Sequence, residues 1–362
     1  MSSFIRSYEE ILATIDTVDV VAYAQTRNHL SGAVSRLSPY LTRGVITLPM
    51  VRDRILGRVH AAAATKFIQE LAWREYFQRV WWQQGDAIFT DMRAGVRSFA
   101  QEKVPLALMR GQTGILTIDQ AIDNLYQTGY VHNHARMWIA GLATNLARAH
   151  WLPVSRWFYY HLIDGDIASN TLSFQWVAGT LTGKPYDFNQ AIINACSPQT
   201  QSGTYLDIDR SELLNVPTPM ILLEAEQPVL PVNLPTTEAI PDLTGQTVRL
   251  FHPFHLDPTW RVGEGVIDVL LIDPTHYERF PVSSRVLDFI IAQARSVLPE
   301  VRVHVGTFSS LPGVAQATVY TRAHPTVAAL PLTLDQVPQL FPGVVGAYRS
   351  FSAFWRACER FI

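Results

Sequence analysis

The stretch from Tyr130 to Trp176 constrains the fold most, because helical apolar spacing and costly polar residues coincide in it. Trp138, Leu142 and Leu146 recur four residues apart, which predicts one helix, and residues 157–162 carry a second apolar face. The polar residues that interrupt this pattern are Asn133, Arg136, Asp164, Asp166 and Asn170. If these side chains are buried they must be paired, since an unpaired charge or amide is expensive inside a protein.

Composition indicates a globular protein with more than one domain. The chain has 362 residues, of which 48% are hydrophobic and 17% charged, so it can bury a sizeable core. It contains no run of 18 apolar residues, and its first ten residues lack the blocks of a signal peptide. The two cysteines, Cys196 and Cys358, form no metal or redox motif. We therefore expect a cytoplasmic protein with no membrane span.

Charge is spread unevenly along the chain. Residues 1–200 have a net charge of +3, and residues 201–362 have a net charge of −5. Neither part has the basic excess that is typical of non-specific nucleic-acid binders. Any contact with DNA is therefore predicted to be confined to a local groove.

Two motifs in the central stretch resemble a known family. One reads Tyr130-Val-His-Asn-His-Ala-Arg-Met137, and the other reads Leu162-Ile-Asp-Gly-Asp-Ile-Ala-Ser-Asn170, followed by Phe174-Gln-Trp176. They are similar to the GY-x-HN-x-x-RM and LxDGDxAxN-x-x-x-WQW motifs of the flavin-binding domain of photolyases and cryptochromes. The resemblance implies an all-helical domain that binds FAD.

The same resemblance implies a set of cofactor-binding residues. Asn170 matches the position that faces flavin N5, and Arg136 and Asp164 match a buried pair beside the isoalloxazine ring. Ser38 is predicted to cap a helix that has Pro39 at its first position, a natural phosphate site. The full cofactor set implied is Tyr23, Ser35, Leu37, Ser38, Arg74, Asn133, Arg136, Asp164, Asp166 and Asn170.

Residues 61–84 form the clearest predicted helix, which Gly85 ends. Glu70, Trp73 and Arg74 share one face of it, and without the motifs an ordinary surface pair beside a half-buried tryptophan would be preferred. The family reading places Glu70 and Trp73 against a DNA lesion. The implied substrate-binding residues are Glu70, Trp73, Asn133, Met137 and Trp176.

The likeness implies a light-driven repair enzyme for damaged DNA. Reduced FAD would pass an electron to a cyclobutane pyrimidine dimer, and a protonated Glu70 would donate to a dimer carbonyl. The alternatives are a cryptochrome-like blue-light flavoprotein without repair activity and a flavin-binding relic that makes protein contacts. A metal site at His132 and His134 is rejected, because side chains two residues apart on a helix point away from each other.

Two departures from the family pattern bear on the repair hypothesis. Family members relay electrons to the flavin through three tryptophans, and Trp151 matches the middle one. Phe174 occupies the innermost place, and no tryptophan stands near Ser98 and Phe99, where the outermost would fall. His134 also replaces a common arginine, which removes a positive charge from the side that would face DNA. The relay is therefore predicted to be cut.

The end of the chain has a different character. Prolines are frequent from Val216 to Pro241, and short β-branched runs then alternate with a helix over residues 284–298. We predict a mainly α protein: a helical FAD-binding domain over residues 1–205, a Pro-rich linker over 206–245 and a small α/β domain over 246–362. The last resembles the antenna domain that usually precedes the flavin domain, and its protein partner is left open.

Overall fold

The structure is a computed structural model that describes residues 4–93, 95 and 98–362. Contacts between Cα atoms divide the chain into two units. The sheet unit comprises Met1–Val18, Ser35–Glu75 and Pro231–Ile362, and the helical unit comprises Asp19–Val34 and Tyr76–Leu230. The boundaries at residues 205 and 245 that the sequence suggests stay a prediction.

Helices and a parallel sheet are both present. In chain order the described α-helices are α1 (Tyr8–Asp16), α2 (Val20–Thr26), α3 (Ser38–Thr42), α4 (Leu48–Leu56), α5 (Ala61–Gln84), α6 (Leu106–Met109), α7 (Leu116–Thr128), α8 (Asn133–Gly141), α9 (Trp151–His161), α10 (Ile167–Ala178), α11 (Gln190–Cys196), α12 (Pro274–Arg279), α13 (Ser284–Val297) and α14 (Phe351–Cys358). The strands are β1 (Val104–Pro105), β2 (Ala225–Glu226), β3 (Thr247–Phe251), β4 (Val266–Ile272), β5 (Arg302–Val305), β6 (Thr318–Arg322) and β7 (Leu334–Asp335).

The core of the helical unit is built on α8, α9 and α10. The apolar residues that predicted the first helix are buried, but a π-helical turn at Leu142–Leu146 follows α8 directly. Such turns often mark functional sites. The buried Asn145 amide donates to the carbonyls of Val177 and Tyr186 at 3.1 and 2.8 Å. This side chain therefore ties the π-turn to the end of α10.

The sheet unit contains five parallel strands in the order β5-β4-β3-β6-β7. Leu250 and Val269 are adjacent in register and almost fully buried, and α13 supplies a buried apolar face. The predicted strands at 248–251, 266–272, 301–305 and 318–320 are confirmed to within two residues. The sequence reading missed β7 and α14.

The proline-rich stretch has no helix or strand over residues 227–243. Glu238 nevertheless pairs with β5, since its N–H donates to the Val303 carbonyl at 2.9 Å and its carboxylate accepts from the Val303 N–H at 2.8 Å. This contact covers an edge strand that would otherwise be open.

The predicted cap at Ser38 is wrong by one position. The Leu37 backbone takes the cap position of α3, no side chain caps the helix, and Ser38 is already helical. The neighbouring Arg36 has φ +52, a left-handed conformation that bends the chain just before the helix. Ser35 Oγ instead accepts from the Leu37 N–H at 3.4 Å.

Candidate cofactor and substrate site

An arginine–aspartate pair joins α8 to the turn before α10. Nη2 of Arg136 lies 2.8 Å from Asp164 Oδ2 and 3.0 Å from Oδ1, and Nε donates to the Val131 carbonyl at 2.8 Å. The Asp164 side chain is 1% exposed, whereas the Arg136 side chain is 23% exposed. Among the described residues Nη1 has no acceptor, so the guanidinium can also bind a ligand.

The Asp-Gly-Asp turn positions the start of α10. A Cβ at Gly165 would lie 3.0 Å from the Tyr159 ring, so only glycine fits without displacing that ring. Asp166 caps α10, since its Oδ1 accepts from the Ser169 N–H at 2.7 Å and its Oδ2 accepts from Gln78 Nε2 at 2.5 Å. These bonds satisfy the carboxylate, which is buried.

Asn170 is oriented as a hydrogen-bond acceptor. Its Nδ2 donates to the Ser155 carbonyl at 3.0 Å, which fixes the amide and directs Oδ1 away from that contact. One helical position earlier, Ser169 Oγ is buried and has no hydrogen-bond partner among the described residues. A buried hydroxyl of this kind and an oriented amide fit a polar ligand such as the flavin ring.

The other residues of the helical unit that are predicted to contact the cofactor or the substrate are exposed or partly buried. Asn133 is exposed at the start of α8, and Tyr23 and Met137 are half-buried. Trp176 is also half-buried, and its ring lies 5.9 Å from that of Tyr186. A half-buried tryptophan keeps apolar surface available for a stacking partner.

The other predicted residues belong to the sheet unit. Arg74 Nη1 donates to Thr42 Oγ1 at 2.9 Å, which links α5 to the end of α3. Glu70 pairs with Lys66 at 2.8 Å, one turn earlier on α5. Leu37 is buried and Ser38 half-buried.

Trp73 has a neighbour that the sequence did not indicate. Its ring stacks on that of Phe351 at the start of α14, with centroids 3.6 Å apart and planes 12° apart. Close by, the backbone N–H of Leu340 donates to the Glu75 carboxylate. One face of Trp73 is thus covered by the C-terminal segment, and its assignment to the substrate stays a prediction.

The tryptophan matched to the middle of the relay has specific partners. Trp151 is fully buried, and its Nε1 donates to Asp91 Oδ1 at 2.7 Å. Phe174, at the innermost relay position, packs 5.8 Å from Phe158, which lies 6.0 Å from Trp157. Asp91 was not identified from the sequence, because no local pattern marks a partner 60 residues away.

His134 does not restore the cation of the arginine that it replaces. Burial lowers its pKa, and the charges of Arg27 and His29 lower it further. The imidazole is therefore neutral at pH 7.

The described residues contain neither a metal-binding group nor a membrane-spanning helix. In residues 4–93, 95 and 98–362, no group of three or more His, Cys, Asp or Glu side chains is arranged to hold a metal ion. Nor does any helix in that part combine the length and apolar character of a membrane span.

Comparison with known proteins identifies a family segment. The family model of the FAD-binding domain of DNA photolyase matches residues 67–221. The chain is 37% identical over 166 residues to a deoxyribodipyrimidine photo-lyase of Streptomyces griseus, which covers 44% of this chain and 35% of that protein. It is 31% identical over 169 residues to a cryptochrome DASH of Gloeobacter violaceus, covering 44% of this chain and 33% of that one. The chain thus spans about a third of the length of these relatives.

Two solved structures are also similar to part of the chain. A Synechocystis cryptochrome is 26% identical with a TM-score of 0.47, over 60% of this chain and 48% of that one. A class III photolyase from Agrobacterium tumefaciens is 26% identical with a TM-score of 0.44, over 49% of this chain and 39% of that one. Residues 67–221 thus match the FAD-binding domain of DNA photolyase, and the sequence relatives are a photo-lyase and a cryptochrome DASH, so the cofactor indicated for this segment is FAD.

Proposed function

We propose that this protein is a light-driven flavoprotein that splits cyclobutane pyrimidine dimers in damaged DNA. The observation that carries the proposal is the combination of the oriented Asn170 amide and the Arg136–Asp164 pair, within a segment that matches the family model. When bound, reduced FAD supplies the light-excited electron. The protein residues hold the cofactor, exclude water and position the lesion.

Asn170 and Arg136 have complementary roles at the cofactor. The Asn170 Oδ1 is oriented to accept a hydrogen bond from a protonated ring nitrogen. The guanidinium of Arg136 is held by Asp164 and Val131, so little side-chain entropy is lost when Nη1 binds the ring edge. Both groups are set before the ligand arrives, which favours tight binding.

On the substrate side we assign Glu70, Trp73, Asn133, Met137 and Trp176. An aromatic wall can stack a flipped-out base, at about 1–3 kcal/mol per base. Glu70 would supply a proton or a hydrogen bond to a dimer carbonyl. Phosphate contacts are predicted to be few, because residues 1–200 have a net charge of only +3.

The test is repair itself. Purified, chemically reduced protein should restore thymine-dimer oligonucleotides under blue light and leave them unchanged in the dark. Single-stranded and double-stranded substrates should be compared, since the sequence does not distinguish them. A flavin-loaded protein that restores neither substrate would refute the repair assignment.

A cryptochrome-like sensor is the second candidate. It is favoured by Phe174 at the innermost relay position and by the similarity to a cryptochrome DASH. A flavin-loaded protein without repair activity, but with a light-dependent change in α14 or the sheet unit, would favour this candidate. Hydrogen exchange in light and dark would detect that change.

We expect Trp176→Ala to abolish the preference for damaged DNA. Loss of one stacking wall should weaken lesion binding about 5- to 150-fold, with little effect on intact strands. Fluorescence anisotropy with labelled oligonucleotides at several salt concentrations measures both affinities. Trp82→Ala is the matched control, because Trp82 is a 48% exposed tryptophan of the helical unit outside the predicted site. If Trp176→Ala still prefers lesions, the pocket lies elsewhere.

Photoreduction of the bound flavin should be slow. Phenylalanine is much harder to oxidise than tryptophan, so Phe174 interrupts the relay between the flavin and Trp151. Tyr159, Tyr160 and Trp157 are alternative donors, and Trp157 leads to Phe174 through Phe158. Illumination with an external reductant should reduce FAD slowly, while dithionite should bypass the defect.

Substitutions near the relay separate these routes. Phe174→Trp alone should help little, because the surface end is also missing near Ser98 and Phe99. Trp157→Phe reports the alternative route. Photoreduction as fast as in relay-intact family members, abolished by Trp151→Phe, would contradict an interrupted relay.

A further inference from the structure

The buried indole N–H of Trp151 needs a hydrogen-bond acceptor, and the acceptor is a carboxylate rather than a neutral group. The indole is fully buried, and its Nε1 lies 2.7 Å from Asp91 Oδ1. The Asp91 side chain is 22% exposed, so it lies between the buried indole and the solvent. The distance of 2.7 Å is in the short range that is typical of hydrogen bonds to carboxylates.

The loop that carries Asp91 is fixed by α10. The Gln175 side chain is fully buried, and its Oε1 accepts from the Met92 N–H at 2.9 Å while its Nε2 donates to the Ile88 carbonyl at 2.7 Å. The Arg93 N–H donates to the Thr180 carbonyl at 2.8 Å. Asp91 is therefore held against the indole by bonds on both sides of it in sequence.

His150 is a third member of the group formed by Trp151 and Asp91. Its ring stacks on that of Trp151 with centroids 5.4 Å apart, and the Phe99 ring meets it edge-on with centroids 4.9 Å apart. Nδ1 accepts from the Leu152 N–H at 3.2 Å, which leaves Nε2 to carry the proton of a neutral ring. Nε2 lies 4.0 Å from Asp91 Oδ1, a separation that one water can bridge.

The chemistry of indole explains what this arrangement can do. A neutral indole N–H is a very weak acid, so Asp91 only accepts a hydrogen bond in the resting protein. After loss of one electron the indole radical cation is a strong acid, and a carboxylate in hydrogen-bond contact is then a competent base.

We propose that Asp91 is the proton acceptor of oxidised Trp151. The inference rests on the proposed function: a bound, light-excited FAD in its oxidised state would be the one-electron oxidant of the indole, by the slow route past Phe174. The Nε1–H bond then breaks, the proton binds Asp91 Oδ1, and a neutral indolyl radical and a carboxylic acid remain. An external one-electron reductant returns the electron, and Asp91 returns the proton.

This step lets Trp151, at the middle position of the relay, prolong charge separation, a role that the missing outer tryptophan would otherwise have. Deprotonation removes the positive charge from Trp151, and return of the electron then requires the proton to return as well. The charge-separated state is therefore prolonged without a surface tryptophan near Ser98. Phe99 and His150 shield the group, and neither is required to be oxidised.

Transient absorption after a laser flash tests the proposal on FAD-loaded protein, because cationic and neutral tryptophan radicals have different spectra. The wild-type cation signal should convert promptly to the neutral radical, more slowly in D₂O. Asp91→Asn keeps an acceptor oxygen but is a poor base, so the conversion should slow by about a hundredfold. Glu102→Gln is the matched control, since its carboxylate lies 3.8 Å from His150 and is 76% exposed. Trp151→Phe should remove the part of the signal that depends on Asp91, and any radical that remains reports the alternative donors Tyr159, Tyr160 and Trp157.

Three outcomes would overturn the proposal: a neutral radical that forms equally fast in Asp91→Asn, a cation that persists in wild type, or a radical that is unaffected by Trp151→Phe. If the protein binds no FAD, the proposed function fails but the test does not. Pulse radiolysis with the azide radical, a one-electron oxidant of tryptophan, then generates tryptophan radicals in the flavin-free protein. The part of the signal that Trp151→Phe removes is the Trp151 radical, and its conversion is compared between wild type and Asp91→Asn.

Discussion

Arg136→Ala should yield a protein that no longer retains FAD. The substitution removes the group that is predicted to bind the flavin edge and leaves the Asp164 carboxylate, 1% exposed, without its cation. Breaking a buried pair from one side costs about 3–5 kcal/mol. If that cost falls on the site, FAD affinity drops by at least about a hundredfold. The flavin absorbance per mole of purified protein, before and after reconstitution, measures the loss.

Variants at the same pair refine this result. Asp164→Ala should also lose FAD but destabilise the fold less, because the remaining Arg136 is 23% exposed and can be hydrated. Arg136→Lys keeps the charge and loses the planar fork, so it should fall between wild type and Arg136→Ala. Arg156→Ala, at an exposed position of α9, is the control that should keep FAD. A wild-type protein that stays colourless after reconstitution would contradict the cofactor assignment.

The sequence predicts best those elements that depend on neighbouring residues. Local patterns located elements well: α5 ends at Gln84 before Gly85, and β4 coincides with the apolar run at 266–272. Helical spacing and β-branched runs are properties of neighbouring residues, so one sequence contains them. The cap of α3 was misplaced because Ser38 has the usual cap chemistry, but Leu37 supplies the cap backbone.

The sequence predicted only part of the site, because several of its contacts depend on tertiary packing. The Arg136–Asp164 pair is formed as the family motifs implied. The partners Gln78 of Asp166, Asp91 of Trp151 and Phe351 of Trp73 were missed, since each lies at least 60 residues away along the chain. Tertiary packing brings such residues together, and no periodicity records it. A second sequence that varies at both positions would have been needed to see these pairs.

The second large effect that we expect is a loss of stability of the sheet unit at acidic pH. A histidine cluster, His252, His255, His276 and His324, lies beyond the carboxyl ends of β3, β4 and β6. Phe254 stacks on His324 with ring centroids 4.3 Å apart and meets His276 edge-on at 5.8 Å. Each imidazole thus packs against aromatic rings or against another imidazole. Little water is left to solvate a charge.

Burial therefore disfavours protonation throughout the cluster. It lowers the pKa of His252 to about 4. The pKa of His276 falls to about 3 by burial first, then through the charges of His252, Arg43 and Arg279. Burial also holds the pKa values of His255 and His324 well below their usual range, and neighbouring histidine and arginine charges add to this. All four rings are neutral in the folded protein at pH 7.

We expect the free energy of unfolding of the sheet unit to fall steeply as the pH drops from about 6.5 toward 4. In that range the unfolded chain binds protons that the folded cluster excludes, so acid favours unfolding, and above about pH 6.5 the effect vanishes. His252 alone accounts for about 3 kcal/mol at pH 4. That is a large part of the roughly 5–15 kcal/mol of a typical domain. Hydrogen exchange of β3 and β6 at pH 8 and pH 5, corrected for intrinsic rates, isolates this unit.

His255→Leu distinguishes the cluster from general acid denaturation. His255 is 4% exposed, and its Nε2 has no hydrogen-bond partner among the described residues, so leucine removes a titrating group and an unsatisfied polar atom together. The variant should protect β3 at pH 5 more than wild type, by about tenfold or more in the exchange rate, with a smaller difference at pH 8. His60→Gln, at an exposed histidine of the same unit, should leave both values unchanged. If His255→Leu shows the full wild-type loss of protection between pH 8 and pH 5, His255 does not contribute to acid sensitivity, which must then come from the other three histidines or from carboxylates of the unit.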